Sequence, residues 1–211
     1  MKSFLGFLPV IVFFFACSNQ SQNSNNSQAE INSLKNEFGK YRQEKDNNFK
    51  TADWSPLTPE DKLAFNGLPY FEYNVSYRYQ LRIHTYTNMD TIEVPGSKSG
   101  DLRKAVPFGY FEFKREGQNQ RLEVWKMMPR TKEGESHLFV GFWDATSDKS
   151  TYAGGRYLDI TEVRPDVYLL DFNYAYNPYC AYSDRYSCLM PPLENRLDIA
   201  LTCGEKIYKE H

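Results

Sequence analysis

The sequence lacks a concentrated run of positive charge, which argues against a nucleic-acid partner. Its 211 residues carry 25 Lys and Arg against 27 Asp and Glu, so the formal net charge is only −2. Proteins that bind a phosphate backbone need a clustered cationic surface. We therefore expect no binding to nucleic acid.

The motifs of metal and cofactor chemistry are also missing. The chain has only three His, and it contains no HExxH, CxxC or EF-hand spacing. His211 is the last residue, His84 falls on the polar side of an alternating segment, and His137 opens a predicted strand. The sequence therefore disfavours a zinc site and indicates no cofactor. Coordination of Ca²⁺ by scattered carboxylates stays open.

The first residues of the chain follow the order of residue types in a bacterial lipoprotein signal. Lys2 is followed by an apolar run over residues 4–16 and then by Cys17. The run has 13 residues, fewer than the ~20 that cross a bilayer as a helix. Residues 14–17, Phe-Phe-Ala-Cys, resemble a lipobox in which Phe14 replaces the commoner Leu. An ordinary signal peptide cut elsewhere, or an uncleaved anchor, is the alternative.

This pattern predicts a domain organisation in three parts. Residues 1–16 are a signal peptide, and Cys17 is the lipidated anchor to a bacterial membrane, on the periplasmic side or at the cell surface. Residues 18–28 contain only Ser, Asn and Gln, which bury too little apolar surface to offset their ordering entropy. Residues 17–28 are thus the lipidated Cys with a disordered linker, and residues 29–211 form a single β-rich domain.

Two helices are predicted before the β-rich part of the chain. Apolar residues at 31, 34, 38 and 41 recur with helical spacing, which predicts an amphipathic helix over residues 30–49. Thr58 then precedes Pro59 and two acids, a typical N-cap, and predicts a short helix that ends near Phe65.

From residue 71 the period changes to two, which is typical of half-buried strands. The odd positions of residues 71–83 are apolar or aromatic and the even positions are polar. Further predicted strands cover residues 91–94, 105–113, 121–127, 137–143, 156–161, 167–172 and 196–202. The short gaps between them, without a βαβ rhythm or an internal repeat, predict a mainly β (α+β) fold. We expect an antiparallel β-sandwich or barrel with the N-terminal helix packed against it.

Two later stretches carry more polar side chains than a β scaffold requires. Their acids, amides and tyrosines are suited to binding a small polar ligand, such as a saccharide or an envelope fragment. The candidate residues are Asp144, Arg156, Tyr157, Asp159, Asp171, Asn173, Tyr176, Asn177, Glu194 and Asn195. Gly154 and Gly155 would let backbone N–H groups approach a ligand anion.

The other interpretation of the same residues is structural. Asp171, Asn173 and Asn177 would cap turns and tie an irregular segment to the scaffold. Arg156 would pair with an interior carboxylate, and the glycines would simply form a turn. The sequence alone leaves both interpretations open.

Two other functions also stay open. A hydrolase would use two of the four carboxylates Asp144, Asp159, Asp171 and Glu194 as acid and base. An interaction protein would bind its partner through an exposed surface rich in tyrosine. The sequence therefore does not decide whether the protein is an enzyme.

Three cysteines follow Cys17, and outside the cytoplasm a disulfide is their expected fate. A bridge between Cys180 and Cys188 would close a nine-residue loop and stabilise the fold by ~2.6 kcal/mol in the chain-entropy model. Cys203 would then be left over. The alternative makes Cys180 a nucleophile with His84 or His137 as its base.

Several motifs, taken in order, resemble the bacterial family called domain of unknown function 1684. They are FWDAT at 142–146, TYAGGRYLD at 151–159, DFNYAYNPYCAY at 171–182, PPLENRL at 191–197 and GEK at 204–206. The likeness covers residues 38–208, although residues 188–192 read Cys-Leu-Met-Pro-Pro where Cys-Pro-Leu-Pro-Pro is commoner, and Cys203 replaces a small residue. The resemblance implies a β-rich domain that is often exported, in a family without an established activity.

Overall fold

The computed structural model of the protein describes residues 27–129 and 134–209. The predicted signal peptide, Cys17 and most of the predicted linker lie outside the described residues. Of that linker, Ser27 and Gln28 are described, and they begin the first helix.

Both predicted helices are confirmed, and each begins at a capping side chain. Helix α1 spans Gln28–Thr51, two residues longer at each end than the periodicity predicts, and the Ser27 side chain accepts a hydrogen bond from the Glu30 N–H. Helix α2 spans Pro59–Ala64, and Thr58 caps it in the same way. Over the two described ranges, neither helix is long and apolar enough to cross a membrane.

The prediction of a mainly β fold is confirmed, since residues 27–129 and 134–209 contain nine strands in two antiparallel sheets. They are β1 (Arg78–Leu81), β2 (His84–Thr85), β3 (Ile92–Pro95), β4 (Leu102–Arg115), β5 (Gln118–Met127), β6 (His137–Phe142), β7 (Arg156–Leu158), β8 (Thr161–Arg164) and β9 (Val167–Asp171). One sheet has the order β1-β9-β8. The other has the order β2-β4-β5-β6-β7, and β3 also pairs with β4. The strands of the described ranges form no closed barrel, which leaves the sandwich-like arrangement.

The long β4–β5 hairpin shows why the sequence folds locally as it does. Arg115 pairs with Gln118, so the loop contains only Glu116 and Gly117. Both loop residues have positive φ, 52° and 76°, as a type I′ turn requires. This turn matches the twist of the two strands and fixes their register.

The sheets share one hydrophobic core, and α1 packs into another. The first core includes Phe111, Leu122, Val140, Leu158 and Leu170, each at most 1% exposed, from five strands of the two sheets. The other core joins α1 to Leu57 and to residues 65–73 and 181–182, whereas α2 contributes no buried residue. Helix α1 is thus held against the β part of the molecule by its own apolar stripe.

Two segments differ from the predicted strands because other groups satisfy their backbones. In residues 71–83 only β1 is a strand, since the Asn74 side chain accepts from the Ser76 N–H and starts a 3₁₀ turn. The predicted strand over residues 196–202 is wrong, apart from a bridge to Trp143. Its backbone instead forms hydrogen bonds with the backbone of residues 143–145 and with the buried side chains of Asp144 and Arg156.

Candidate functional site

A fully buried ion pair joins the side chains of Asp144 and Arg156. The Arg156 side chain, on β7, and that of Asp144 are both 0% exposed, and Nη2 lies 2.7 Å from Oδ2 of the carboxylate. The same guanidinium donates to three backbone carbonyl oxygens near the C-terminus, those of Leu201, Cys203 and Glu205. Arg156 therefore joins the C-terminal segment to the sheet.

The second oxygen of Asp144 is equally occupied. Oδ1 accepts hydrogen bonds from the backbone N–H groups of Thr146 and Leu201, and from the Thr146 hydroxyl. Gly155, beside Arg156, has φ = 85° and donates its N–H to the carbonyl of Tyr152. These groups are used within the fold, as the structural interpretation of the motif predicts.

Asp171 and Asn173 form a second cluster at the end of β9. The Asn173 side chain accepts from the Asn74 N–H and donates to the Asn74 carbonyl, both at 2.9 Å. The Asp171 carboxylate accepts from Asn173 and lies 3.5 Å from Arg78. Burial raises the pKa of Asp171, although its hydrogen bonds and Arg78 oppose that shift.

Asn195, in a 3₁₀ turn, makes similar side-chain bonds to the backbone of the other sheet. Its side chain accepts from the Glu123 N–H and donates to the carbonyls of Glu123 and Gly141. It therefore ties the segment after residue 192 to β5 and β6. Asn177 is also buried, and its side-chain amide donates to the Lys206 carbonyl.

The other four candidates lie nearer the surface. The Tyr157 hydroxyl donates to the Leu189 carbonyl, and Tyr176 donates to the exposed carboxylate of Asp159 at 3.0 Å. The rings of Tyr157 and Tyr176 are 5.9 Å apart, and Glu194 is exposed.

The ten predicted residues are thus distributed over several clusters. The four carboxylates of the hydrolase hypothesis contact different partners. That hypothesis, and the hypothesis of an interaction surface, stay predictions. Among the described residues, no group of three or more His, Cys, Asp or Glu is placed to hold a metal ion.

A further polar cluster centres on Glu205, which was not among the predicted residues. Its side chain is 1% exposed, and its Oε1 lies 2.6 Å from Lys45 Nζ on α1. Tyr70 also donates to Oε1, at 3.2 Å, while Oε2 accepts from the Tyr182 hydroxyl at 2.6 Å and from the Asn177 N–H at 2.8 Å. Glu205 therefore connects the first helix to the last described segment.

The neighbours of Lys45 in this cluster favour its charged form. Burial alone would lower the pKa of Lys45, but Glu205 and Tyr41 together outweigh burial and raise it. Burial, with Glu205 as the second cause, raises the pKa of Tyr182 well above its ordinary value, so the hydroxyl stays a donor. The Lys45 ammonium also lies 4.7 Å from the centre of the Tyr176 ring.

One sequence signal would have found this cluster. The apolar stripe of α1 runs 31, 34, 38, 41, and the next position at that spacing is Lys45. A lysine on the buried stripe of a helix requires a counter-charge from another segment. The sequence does not tell which acid supplies it, because Glu205 is 160 positions away.

An open groove of about 600 Å³ lies beside this cluster, between the N-terminal half of α1 and two irregular segments. Its lining residues are Ile31, Lys35, Tyr70, Phe71, Glu72, Tyr73, Asn74, Val75, Thr202 and Lys206. None of the ten predicted residues lines it. Tyr70 belongs to both sites, because it lines the groove and donates its hydroxyl to Glu205.

Comparison with known proteins identifies the family. The family described as Protein of unknown function (DUF1684) matches residues 63–206. The chain belongs to this family. The matched range includes the Arg156 pair, Glu205 and most of the groove, but it excludes α1 and therefore Lys45.

A solved structure has a similar fold. The chain is similar to an uncharacterised protein of Haloarcula marismortui, solved by solution NMR, with 30% sequence identity and a TM-score of 0.65. The similarity covers 88% of this chain and 100% of that chain. No curated protein matches the chain.

The cysteines of this DUF1684 member are arranged as the sequence suggests. Cys180 and Cys188 form a disulfide, and Cys203 is a buried free thiol. Burial raises the pKa of the Cys203 thiol to about 12. A thiol protonated in this way is a poor nucleophile at neutral pH.

We expect alkylation to separate the three cysteines. With iodoacetamide at pH 8 and without reductant, native protein should leave Cys203 unlabelled, because the thiol is buried and protonated. Denatured, unreduced protein should carry the label on Cys203 but not on Cys180 or Cys188, as read by peptide mass mapping. Label on all three after denaturation would contradict the disulfide, and adding reductant provides the positive control.

Proposed function

We propose that this protein is an envelope lipoprotein, anchored to a bacterial membrane through Cys17, that binds a small polar ligand in the groove. A saccharide or a cell-envelope fragment is the ligand class we favour. The observation that carries the proposal is the groove itself, whose volume of about 600 Å³ lies in the range of small-molecule sites, roughly 300–1,000 Å³.

The groove lining combines the two kinds of group that a sugar needs. Phe71, which is half-buried at the groove, offers aromatic surface to the apolar face of a sugar ring. Asn74, Thr202 and Glu72 are exposed and offer amide, hydroxyl and carboxylate groups to its hydroxyls.

The envelope location is supported by the order of residues 1–17, with a positive charge, an apolar run and a cysteine after a small residue. The disulfide between Cys180 and Cys188 is compatible with an oxidising compartment. A tethered domain of this kind would present the groove to ligands outside the cytoplasm.

We expect a thermal-shift screen of saccharides and envelope metabolites to give at least one ligand that raises the melting temperature. The full-length protein is used in a polyoxyethylene detergent, which contains no sugar. At a concentration of 100 times Kd, a ligand that binds only the folded state stabilises it by about 2.7 kcal/mol, or roughly 5–10 °C for a domain of this size.

A matched pair of variants assigns the binding to the groove. Thr202→Trp places a large side chain on the groove lining and should abolish the shift. Thr161→Trp makes the same change on β8, outside the groove, and should preserve it. The proposal fails if no compound in the screen shifts the protein, or if Thr202→Trp binds as well as the unaltered chain.

A further inference from the structure

The residues that line the groove carry more positive than negative charge. Its charged lining residues are Lys35, Lys206 and Glu72, two cations against one anion. Among the described residues, neither lysine makes an ion pair within 4 Å. The Lys206 ammonium instead lies 4.8 Å from the centre of the Phe71 ring, at the groove.

Three enclosed cations in the described ranges are paired with carboxylates. Lys45 pairs with Glu205, Arg156 with Asp144, and Arg103 with Asp101. The two lysines of the groove have no carboxylate of this kind, and they line a space large enough for a ligand.

One residue that lines the groove has a buried hydroxyl without a hydrogen-bond partner among the described residues. Tyr73 lines the groove and is only 7% exposed, and its hydroxyl has no hydrogen-bond partner among the described residues. A buried hydroxyl without a partner costs free energy that a bound ligand would recover. Burial, followed by the charge of Asp171, raises the pKa of Tyr73, so this group stays a donor.

We infer that the groove binds small molecules that carry an anionic oxygen group, a carboxylate or a phosphate, between Lys35 and Lys206. The inference rests on the proposed function for the site and adds the charge of the ligand. A lysine ammonium is a compact point charge that accepts either oxyanion without the planar geometry that arginine demands. An acidic sugar would place its ring against the aromatic lining and its anionic group at the lysines.

The test compares sugars that differ in the group at C6, neutral or anionic, with inorganic phosphate as the anion without a sugar. NMR titrations of the full-length protein in polyoxyethylene detergent use glucose, glucuronate, glucose 6-phosphate and inorganic phosphate. At low salt, the better of the two acidic sugars should bind about tenfold more tightly than glucose. The advantage should shrink in 0.3 M NaCl, because salt screens exposed charges. The comparison of glucuronate with glucose 6-phosphate decides between carboxylate and phosphate.

Variants of single lysines show which side chains cause the preference for an acidic sugar over glucose. Lys35→Gln and Lys206→Gln should each reduce the preference for the acidic sugar at least threefold and leave binding of glucose unchanged. Lys40→Gln removes an exposed lysine of α1 that does not line the groove. It should change neither the preference for the acidic sugar nor the binding of glucose. Equal binding of glucose and both acidic sugars, or an equal loss in Lys40→Gln, would overturn the inference.

The two proposals fail in different ways. Binding of neutral sugars that is blocked by Thr202→Trp, without any dependence on Lys35 or Lys206, supports the proposed function and overturns the inference. If no sugar binds but inorganic phosphate shifts the signals of Lys35 and Lys206 more than those of Lys40, the inference stands and the saccharide proposal fails.

Discussion

Replacing Arg156 with Met should lower the free energy of unfolding by about 3–5 kcal/mol, since it leaves Asp144 as an unpaired buried charge. The substitution also removes the donor to the carbonyls of Leu201, Cys203 and Glu205. Methionine has a similar length, so the loss is of charge and hydrogen bonds more than of volume. Thermal unfolding followed by circular dichroism should show a melting temperature lower by roughly 10 °C.

The matched control is Arg82→Met. Arg82 faces Asp166 at 3.8 Å, and both side chains are largely exposed, so this pair is worth about 0–1 kcal/mol. A small effect in both variants would contradict a structural role for Arg156. A stable Arg156→Met protein that no longer binds the ligand of the thermal-shift screen would restore Arg156 as a binding residue.

Replacing Glu205 with Gln should destabilise the protein by about 2–4 kcal/mol, because Lys45 loses its counter-charge in a mostly buried position. The amide also places a donor where the carboxylate accepts hydrogen bonds from Tyr182 and the Asn177 N–H. Urea unfolding measures the loss. Glu194→Gln makes the same change at an exposed carboxylate and should alter stability by less than about 0.5 kcal/mol.

The pH dependence of this loss of stability distinguishes a charge interaction between Lys45 and Glu205 from a packing effect. The pKa of Lys45 is raised in the folded protein above its ordinary value of 10.5. The pair therefore contributes fully below about pH 10.5 and loses its contribution as the pH rises through the folded pKa. We expect the difference in stability between the unaltered chain and Glu205→Gln to narrow above pH 10.5. A difference that stays constant up to pH 12 would contradict the charge interaction.

The sequence predicts those parts of the fold that depend on neighbouring residues. Helix α1 follows from its apolar spacing, α2 from its cap, and the β4–β5 hairpin from a turn that tolerates positive φ. Most strands follow from alternation or turn spacing. These features are local, so a single sequence contains the information that determines them.

The candidate site was predicted less well because its contacts are not local. Acids and amides such as Asp144 and Asn195 stand out as polar residues, but the partners that occupy them come from distant segments. The groove forms where residues near 31–35, 70–75 and 202–206 meet. Nothing in the sequence distinguishes these residues from others of the same types, and only the fold shows that they line one groove.

The way that the C-terminal segment is held has a consequence for the order of events in biosynthesis. Arg156 receives its carbonyl partners from residues 201–205, and Lys45 receives its counter-charge from Glu205. A nascent chain that has not yet released these residues holds Lys45 without its counter-charge, and Arg156 with Asp144 but without its three carbonyl partners. Folding of the domain should therefore follow, rather than accompany, synthesis of residue 205.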